Sequence, residues 1–409
     1  QKNEVGRMVA SADALLYQLG YNATLVTLGA LLLGIAAGVA GTFLFLRKRA
    51  LVSDAISHAT LPGVGLAFIC MVAMGGDGRS LAGLLLGAAL SAGIGLLCVQ
   101  WLTRRTRLGE DAAIGAVLSV FFGFGIVILT VVQTMNAGRQ AGLEGFLLGS
   151  TAGMLRSEAL LLAVSASLVL VLVLLLRRPL TLAAFDPGFS EVTGWRPGLI
   201  DLGMMGSVLL VTVVGLMVVG LILIVALLIV PPVTARFWSE RVDVVVIVSG
   251  VLGGLAGYLG AAISATAPAL PTGPIVVLVS FALFGISLLC APGRGVFASM
   301  VRHQRYQRRV HLRQGLLALA SGQPIYERLT HRLLRRAGWI RADGVATADG
   351  QAAAAKAQLD ETRWALVRSD RAYATAAARY DGLTAIEDVL TPDQLSDVDA
   401  RLAPPQAVT

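Results

Sequence analysis

Charge is scarce in this chain of 409 residues: Asp, Glu, Lys and Arg make up 14% of it, against about 25% in an average soluble domain. With 56% hydrophobic residues and a mean hydropathy of +0.75, that shortage excludes an ordinary soluble protein and points to a polytopic membrane protein. Cysteine is nearly absent as well. Cys70, Cys98 and Cys290 lie singly in apolar runs without C-x-x-C spacing, which excludes a disulfide framework or a zinc knuckle and makes them small buried hydrophobes. No glycine-lysine Walker A motif occurs, so the chain carries no ATP chemistry of that kind. No H-E-x-x-H motif or second carboxylate accompanies His58, which argues against an intramembrane metalloenzyme. Residues 1–21 lack the apolar core and small-residue cleavage site of a signal peptide and read as a short amphipathic lead-in.

Long apolar runs are what the chain does have. A crossing needs about 20 residues for about 30 Å of hydrocarbon. Runs near that length predict crossings at 22–46, 51–74, 80–102, 111–135, 158–176, 198–217, 218–235, 242–264 and 272–291. The pair within Leu202 to Ala235 reads either as two short helices or as one long kinked helix. Basic residues collect at Arg47-Lys48-Arg49, Arg104-Arg105 with Arg107, Arg177-Arg178, Arg236 with Arg241, and Arg294 with Arg302, which predicts cytoplasmic loops there. Gly75 to Gly78, Asn136 to Gly138 and Ala265 to Leu270 then fall outside, with the N-terminus outside and the tail in the cytoplasm. Small-x-x-x-small spacings at Gly34/Gly38, Gly83/Gly87 and Gly253/Gly257 let helix backbones approach closely.

One apolar run is unusual. Arg47 to Ile69 opens on a basic triplet and then carries a carboxylate and an imidazole. On a helix Asp54 and His58 sit four apart, on one face about one turn from each other. An ionisable group at the bilayer centre costs at least about 2.5–3.5 kcal/mol on insertion scales, so it reads as part of an ion pathway with a named partner. Pro62 lacks an N–H and frees the His58 carbonyl; with Ser53, Asp54, Ser57 and His58 that carbonyl is predicted to form one polar stripe lining the route. Neutral imidazole with carboxylate suits manganese, ferrous iron or zinc better than copper(I), which favours thiolates. The competing reading is that Asp54 and His58 hydrogen-bond neighbouring helices.

Two loop stretches stand out: Phe185 to Trp195, a turn with one or two helical turns, and Pro231 to Arg241. The double proline of the second is predicted to start a short amphipathic helix whose aromatic and charged residues dock on a partner, or else form an interfacial loop anchored by Trp238. Beyond the last run the charge splits in sign. Arg294 to Arg341 carries 11 arginines and one acid, net +10, whereas Ala342 to Thr409 carries 6 basic and 11 acidic residues, net −5. The basic half reads first as a positive-inside anchor touching anionic membrane lipid, then as regulatory docking on a partner subunit; DNA contact ranks last.

These residues resemble the membrane-spanning subunits of ATP-binding-cassette importers for manganese, zinc or iron. The likeness covers about residues 22–291. It rests on Leu51 to Ala67, Gly109-Glu110-Asp111-Ala112-Ala113-Ile114-Gly115, Gln140 to Gly149, Val219 to Arg236, and Pro271 to Leu278, with Gln140 to Gly149 closer to the manganese or iron branch. The resemblance implies that Asp54 and His58 lie on the metal route. It implies that Pro231, Pro232, Ala235, Arg236 and Ser239 contact an ATPase subunit, with ATP hydrolysis on that separate chain. It also implies a second permease around one pathway, an extracytoplasmic metal-binding protein that delivers Mn2+, Zn2+ or Fe2+, and an inner-membrane location. No permanently bound cofactor is expected.

From about Gln314 to Leu402 the tail resembles the latter part of iron- and manganese-dependent repressors. Arg328 to Gly338 would be a helix, Trp339 to Thr347 the wing, Ala348-Asp349-Gly350 the start of a long helix, and Asp381 to Leu390 a metal-site helix. Glu361, Glu387 and Asp388 are the candidate tail ligands, with Asp388 and Thr384 replacing the family's usual residues and Glu361 standing where a histidine is usual. The expected architecture is therefore an all-α polytopic membrane protein of about nine crossing helices, followed by a small cytoplasmic α/β winged-helix-like and helical domain. Its expected bounds are 1–21 for the lead-in, 22–293 for the permease, 294–313 for a basic linker and 314–409 for the tail. A divalent-metal permease is the leading function, and a membrane-tethered metal-responsive regulator is the alternative.

Overall fold

The computed structural model describes residues 21–76, 78, 80–135, 156–266 and 271–402. The Gln140 to Gly149 match, the lead-in before Tyr21, the Asn136 to Gly138 loop and positions 267–270 of the last outer loop lie outside the described residues. The chain divides into two compact units, Gln1–Val296 and Phe297–Thr409.

The first unit is a helical bundle: α1 Tyr21–Leu46, α2 Leu51–Ala73, α3 Leu81–Arg105, α4 Glu110–Thr134, α5 Arg156–Phe185, the short α6 Pro187–Val192, α7 Pro197–Val219, α8 Leu221–Arg236, α9 Val242–Ser264 and α10 Thr272–Cys290. Each predicted crossing falls on one of these helices, but eight of the described helices are long and apolar enough to span, not nine. The exception is α8, whose 16 residues rise about 24 Å, short of the hydrocarbon thickness. The Leu202 to Ala235 ambiguity resolves as two helices. Gly220 separates them at φ 82°, a left-handed conformation that glycine adopts without a Cβ penalty. Helix α5 outruns its predicted span and continues through Arg177, Arg178 and the internal Pro179 to Phe185, so those arginines sit on helix and not in a loop. Asp186 then caps α6, accepting from the Phe189 N–H at 2.9 Å, with Pro187 in the first turn.

Helices α1, α2 and α7 are the most enclosed, while α4, α5 and α10 turn most of their surface outward. The outward residues are chiefly Leu, Val, Ile and Phe, as a lipid-facing surface requires. Cys70 and Cys290 belong to that outward surface, which corrects their expected burial; they are small apolar residues facing lipid. The α1–α9 seam uses its glycines for contact: a Cβ at Gly34 would overlap the Gly253 carbonyl, one at Gly253 the Gly34 carbonyl, and one at Gly257 the Ala30 carbonyl. Ser249 donates across that seam to the Gly38 carbonyl at 2.7 Å.

The second unit begins within α11 Val296–Ala320, so the basic stretch expected as a linker is most of a continuous helix. It continues with α12 Arg328–Arg336, α13 Ala348–Ser369, α14 Ala374–Ala377 and α15 Pro392–Leu402. Thr347 caps α13, accepting from the Gly350 N–H at 3.1 Å. Among the described residues there is no strand. The expected wing is reduced to one antiparallel bridge, Ile340 to Ala346, closed by a turn with Gly344 at φ 84°. A two-stranded ribbon needs more pairs than this nine-residue stretch makes, so the α/β expectation gives way to an essentially helical unit. Its core gathers Trp364, Val367, Tyr373, Ile386, Leu390 and Val398 around α13, with the Trp364 indole N–H donating to the Thr384 carbonyl at 3.0 Å.

Candidate metal-route site

Helix α2 starts after a tight reversal in which Lys48 takes φ 59°, and it places Asp54 in its first turn, where the amide dipoles favour a carboxylate. His58 follows one turn on, with Nε2 3.4 Å from Asp54 Oδ1. The imidazole edge packs against Phe122 of α4 at 4.9 Å between centroids and 81° between planes. Its other nitrogen, Nδ1, is buried and has no hydrogen-bond partner. The pair remains reachable, with side chains 22% and 38% exposed for His58 and Asp54.

Ser53 and Ser57 are turned elsewhere. Both are buried, and their hydroxyls donate to backbone one turn back, Ser53 to the Ala50 carbonyl at 2.7 Å and Ser57 to the Ser53 carbonyl at 2.8 Å. A single polar stripe is therefore not what the helix presents, because each serine precedes its neighbour in the pair by about 100° of helix rotation. Pro62 is buried within α2, which continues past it. A Cβ on Gly125 of α4 would stand 3.2 Å from the Pro62 ring and 2.7 Å from the Leu61 Cβ, so α4 approaches α2 at the proline. On another face Gly63 meets Gly87 of α3 backbone to backbone. Helix α2 is thus gripped on two sides and leaves the Asp54/His58 face accessible.

Just before α2 lies a charge cluster that reading the sequence did not assemble. Arg47 pairs with Asp201 of α7, and Arg49 pairs with Glu110 of α4 at 2.7 Å and with Asp201 at 3.5 Å. The available signal was Asp201 itself, an acid at the start of an otherwise apolar run, together with Glu110 in a quoted motif.

Of the proposed ATPase-coupling residues, Pro231, Pro232 and Ala235 are buried and the prolines lie inside α8, so they do not start a helix as expected. Pro232 leaves the Leu228 carbonyl without its helical donor, and that carbonyl rests against Gly41 of α1. The turn after α8 is a built structure. Arg236 Nη1 donates to the Glu240 carbonyl at 2.9 Å and Ser239 Oγ accepts from the Arg241 N–H at 3.1 Å. The Trp238 indole N–H donates to Ser287 of α10 at 3.0 Å, and Glu240 pairs with Arg294.

The tail ligands are not brought together. Glu361 accepts from Arg313 at 3.0 Å and from the Tyr380 hydroxyl at 2.7 Å, while Glu387 lies 3.4 Å from Lys356. Asp388 is exposed. Burial alone would raise the Glu361 pKa, but the Tyr380 hydroxyl and the Arg313 guanidinium together hold it below its ordinary value. Among the described residues no three His, Cys, Asp or Glu side chains converge on one point, here or at Asp54. Among the described residues these two ligands do not complete the four or more that a divalent ion takes.

A multi-pass helical bundle with an acid–imidazole pair inside a spanning helix has the make-up of a membrane permease. The chain belongs to the ABC 3 transport family, which its residues 21–291 match. It is 40% identical over 298 residues to the manganese transport system membrane protein MntC of Bacillus subtilis (strain 168), covering 73% of this chain and 67% of that one. It is 39% identical over 280 residues to the zinc transport system membrane protein TroC of Treponema pallidum (strain Nichols), covering 68% and 92%. Among solved structures, PsaBC from Streptococcus pneumoniae in complex with Fab superposes with a TM-score of 0.60 at 27% identity, over 70% of this chain and 97% of that one. The family match ends before the second unit begins.

Proposed function

We propose that this chain is the permease subunit of an ATP-binding-cassette importer that carries a divalent transition metal across the inner membrane. Manganese is the first expectation, with zinc and iron(II) as the other substrates of the same donor chemistry. The observation that carries the reading is the Asp54–His58 pair, one turn apart on an accessible face of an otherwise apolar helix, with a buried imidazole nitrogen unsatisfied. Relatives named for manganese and zinc transport support it. The missing donors would come from the same pair in a second permease, which gives two carboxylates and two imidazoles for one ion. An extracytoplasmic binding protein would deliver the ion, and a separate ATPase chain would dock at the Trp238 turn and drive the cycle.

The arginine-bearing ends favour a cytoplasmic side for that turn and for the second unit, with the N-terminus outside. The repressor-like tail is read as an accessory: Ile340 to Ala346 keeps a wing-like turn, but Glu361 is already engaged by Arg313, and Glu387 by Lys356 and Arg363.

Metal uptake by cells carrying His58→Gln and Asp54→Asn tests the site. Glutamine keeps hydrogen-bonding capacity but offers no imidazole nitrogen, and interhelical hydrogen bonds in membranes average about 0.6 kcal/mol. A packing role therefore predicts a mild defect, whereas a ligand role predicts loss of uptake at normal membrane levels. Near-normal uptake by both variants would remove the assignment.

A further inference from the structure

The cluster at the start of α2 is not part of the metal-ligand reading, yet it joins the three helices around it. Arg47 and Asp201 are nearly enclosed, their side chains 11% and 13% exposed, whereas Arg49 and Glu110 are 21% and 29% exposed. The two arms therefore differ in how readily water can replace them. Separating an enclosed pair strands two desolvated charges, while a half-wet pair can open with hydration taking over. Arg49 also reaches two carboxylates at once, Glu110 at 2.7 Å and Asp201 at 3.5 Å. It sits in the short connection between α1 and α2, next to Lys48 at φ 59°, and only five residues before Asp54. Glu110 is the first residue of α4, the helix whose Phe122 packs on the His58 ring.

We propose that Arg49 is a positioning residue for transport: through Glu110 it latches the start of α2 to α4, and it retains Asp201 as its alternative partner when α4 moves away. The Arg47–Asp201 pair is the fixed arm and the Arg49–Glu110 pair the releasable one. The latch sets where the Asp54/His58 face stands relative to Phe122. It also keeps the nearest arginines engaged, so that neither neutralises Asp54 in place of the cargo. This inference rests on the metal-route reading of Asp54 and His58.

The test uses the full chain with its ATPase subunit, with manganese uptake by cells and ATP turnover per manganese delivered by the reconstituted complex as readouts. Glu110→Gln keeps the side-chain shape and removes the charge. Uptake is expected to fall about tenfold, the scale of one lost hydrogen bond between charged groups, while ATP turnover persists and the ratio of ATP to manganese rises. Glu110→Asp, which keeps the charge, should restore most of both. Arg49→Gln loses both carboxylates and should be the more severe single change. Because the two residues act through each other, Arg49→Gln with Glu110→Gln should be no worse than Arg49→Gln alone.

Multiplying effects in the double variant, or an unchanged ATP to manganese ratio in Glu110→Gln, would overturn the latch. Loss of uptake that merely tracks loss of protein from the membrane, in Glu110→Gln and Glu110→Asp alike, would do so too by making the pair structural. His58→Gln in the same assay separates the two readings. Normal uptake there sinks the ligand assignment alone, while the non-additivity of Arg49 and Glu110 still reports on the latch.

Discussion

Gly253→Ala is the smallest perturbation that tests what holds the bundle together. The new Cβ would overlap the carbonyl oxygen of Gly34, and because that atom is helix backbone, it cannot swing aside. Relief requires α1 and α9 to separate by about 1 Å, which forfeits a quarter to a half of each contact of ~0.1–0.2 kcal/mol along the seam. Added methyl groups in packed interiors cost about 1–3 kcal/mol, and the Ser249 to Gly38 hydrogen bond would stretch with the seam. Ser249→Ala removes only that bond, worth about 0.6 kcal/mol between membrane helices. Gly206→Ala on α7 is the internal control, since nothing lies within 4 Å of its added Cβ. It should be neutral or stabilising by up to about 1 kcal/mol through helix propensity. Thermal unfolding of the three purified variants in one detergent should therefore rank Gly253→Ala well below Ser249→Ala, with Gly206→Ala at or above the parent. If Ser249→Ala proved as damaging as Gly253→Ala, hydrogen bonding and not backbone contact would hold the seam.

In the tail, Arg313→Met leaves the nearly buried Asp360 and its neighbour Glu361 without their shared cation, and should cost on the order of 3 kcal/mol, read as faster proteolysis of the tail in the full chain. The parent tail should also weaken in acid: the Glu361 pKa is lowered in the fold, so its stabilisation is present above the ordinary carboxylate range and is lost as pH falls through the lowered value, which proteolysis at pH 7 and pH 4 would reveal. Arg236→Glu should open the turn that carries Trp238 and reduce co-purification of the ATPase subunit without removing the permease from the membrane; unchanged association would move the docking site elsewhere. With the native cysteines replaced by alanine, a cysteine at Gly76 should react with an impermeant thiol reagent from outside and one at Ala348 should not; the reverse pattern inverts the orientation.

The sequence carried the helices well because membrane crossings are written as composition over a fixed length, a rule that needs no tertiary information. It placed the nine apolar helices found among the described residues. What it could not weigh was the length of Leu221–Arg236 against the bilayer, since the break is set by one glycine at φ 82°. The Asp54/His58 spacing was legible because i and i+4 share a face on any helix. The serine stripe was not, because Ser53 and Ser57 differ from the pair by one position each, and packing decides which face is buried. The same holds for Pro231 and Pro232, which are buried inside α8. The Arg49–Glu110–Asp201 cluster joins positions 61 and 152 residues distant from Arg49, and no local pattern encodes such contacts.

A cargo site has to be tolerable both empty and filled, and the surroundings of Asp54 bear on this directly. Its place in the first turn of α2 puts it at the positive end of the helix dipole, whose partial charge of about half a unit favours a carboxylate without a full cation. An arginine free to pair with it would hold it more strongly and compete with the ion. Three basic residues stand immediately upstream, and the two whose side chains turn inward are both committed to other acids, Arg47 to Asp201 and Arg49 to Glu110 and Asp201, while Lys48 is exposed. What remains for Asp54 is His58, one turn on, and an imidazole nitrogen is a good ligand for a divalent metal. Releasing Arg49 from Glu110 leaves it on Asp201, so the cation stays engaged and Asp54 stays open to its ion when the helices move apart. The electrostatics of the empty site and the mechanics of the latch are then one device: the contact that holds the helices together also keeps the site available to its ion.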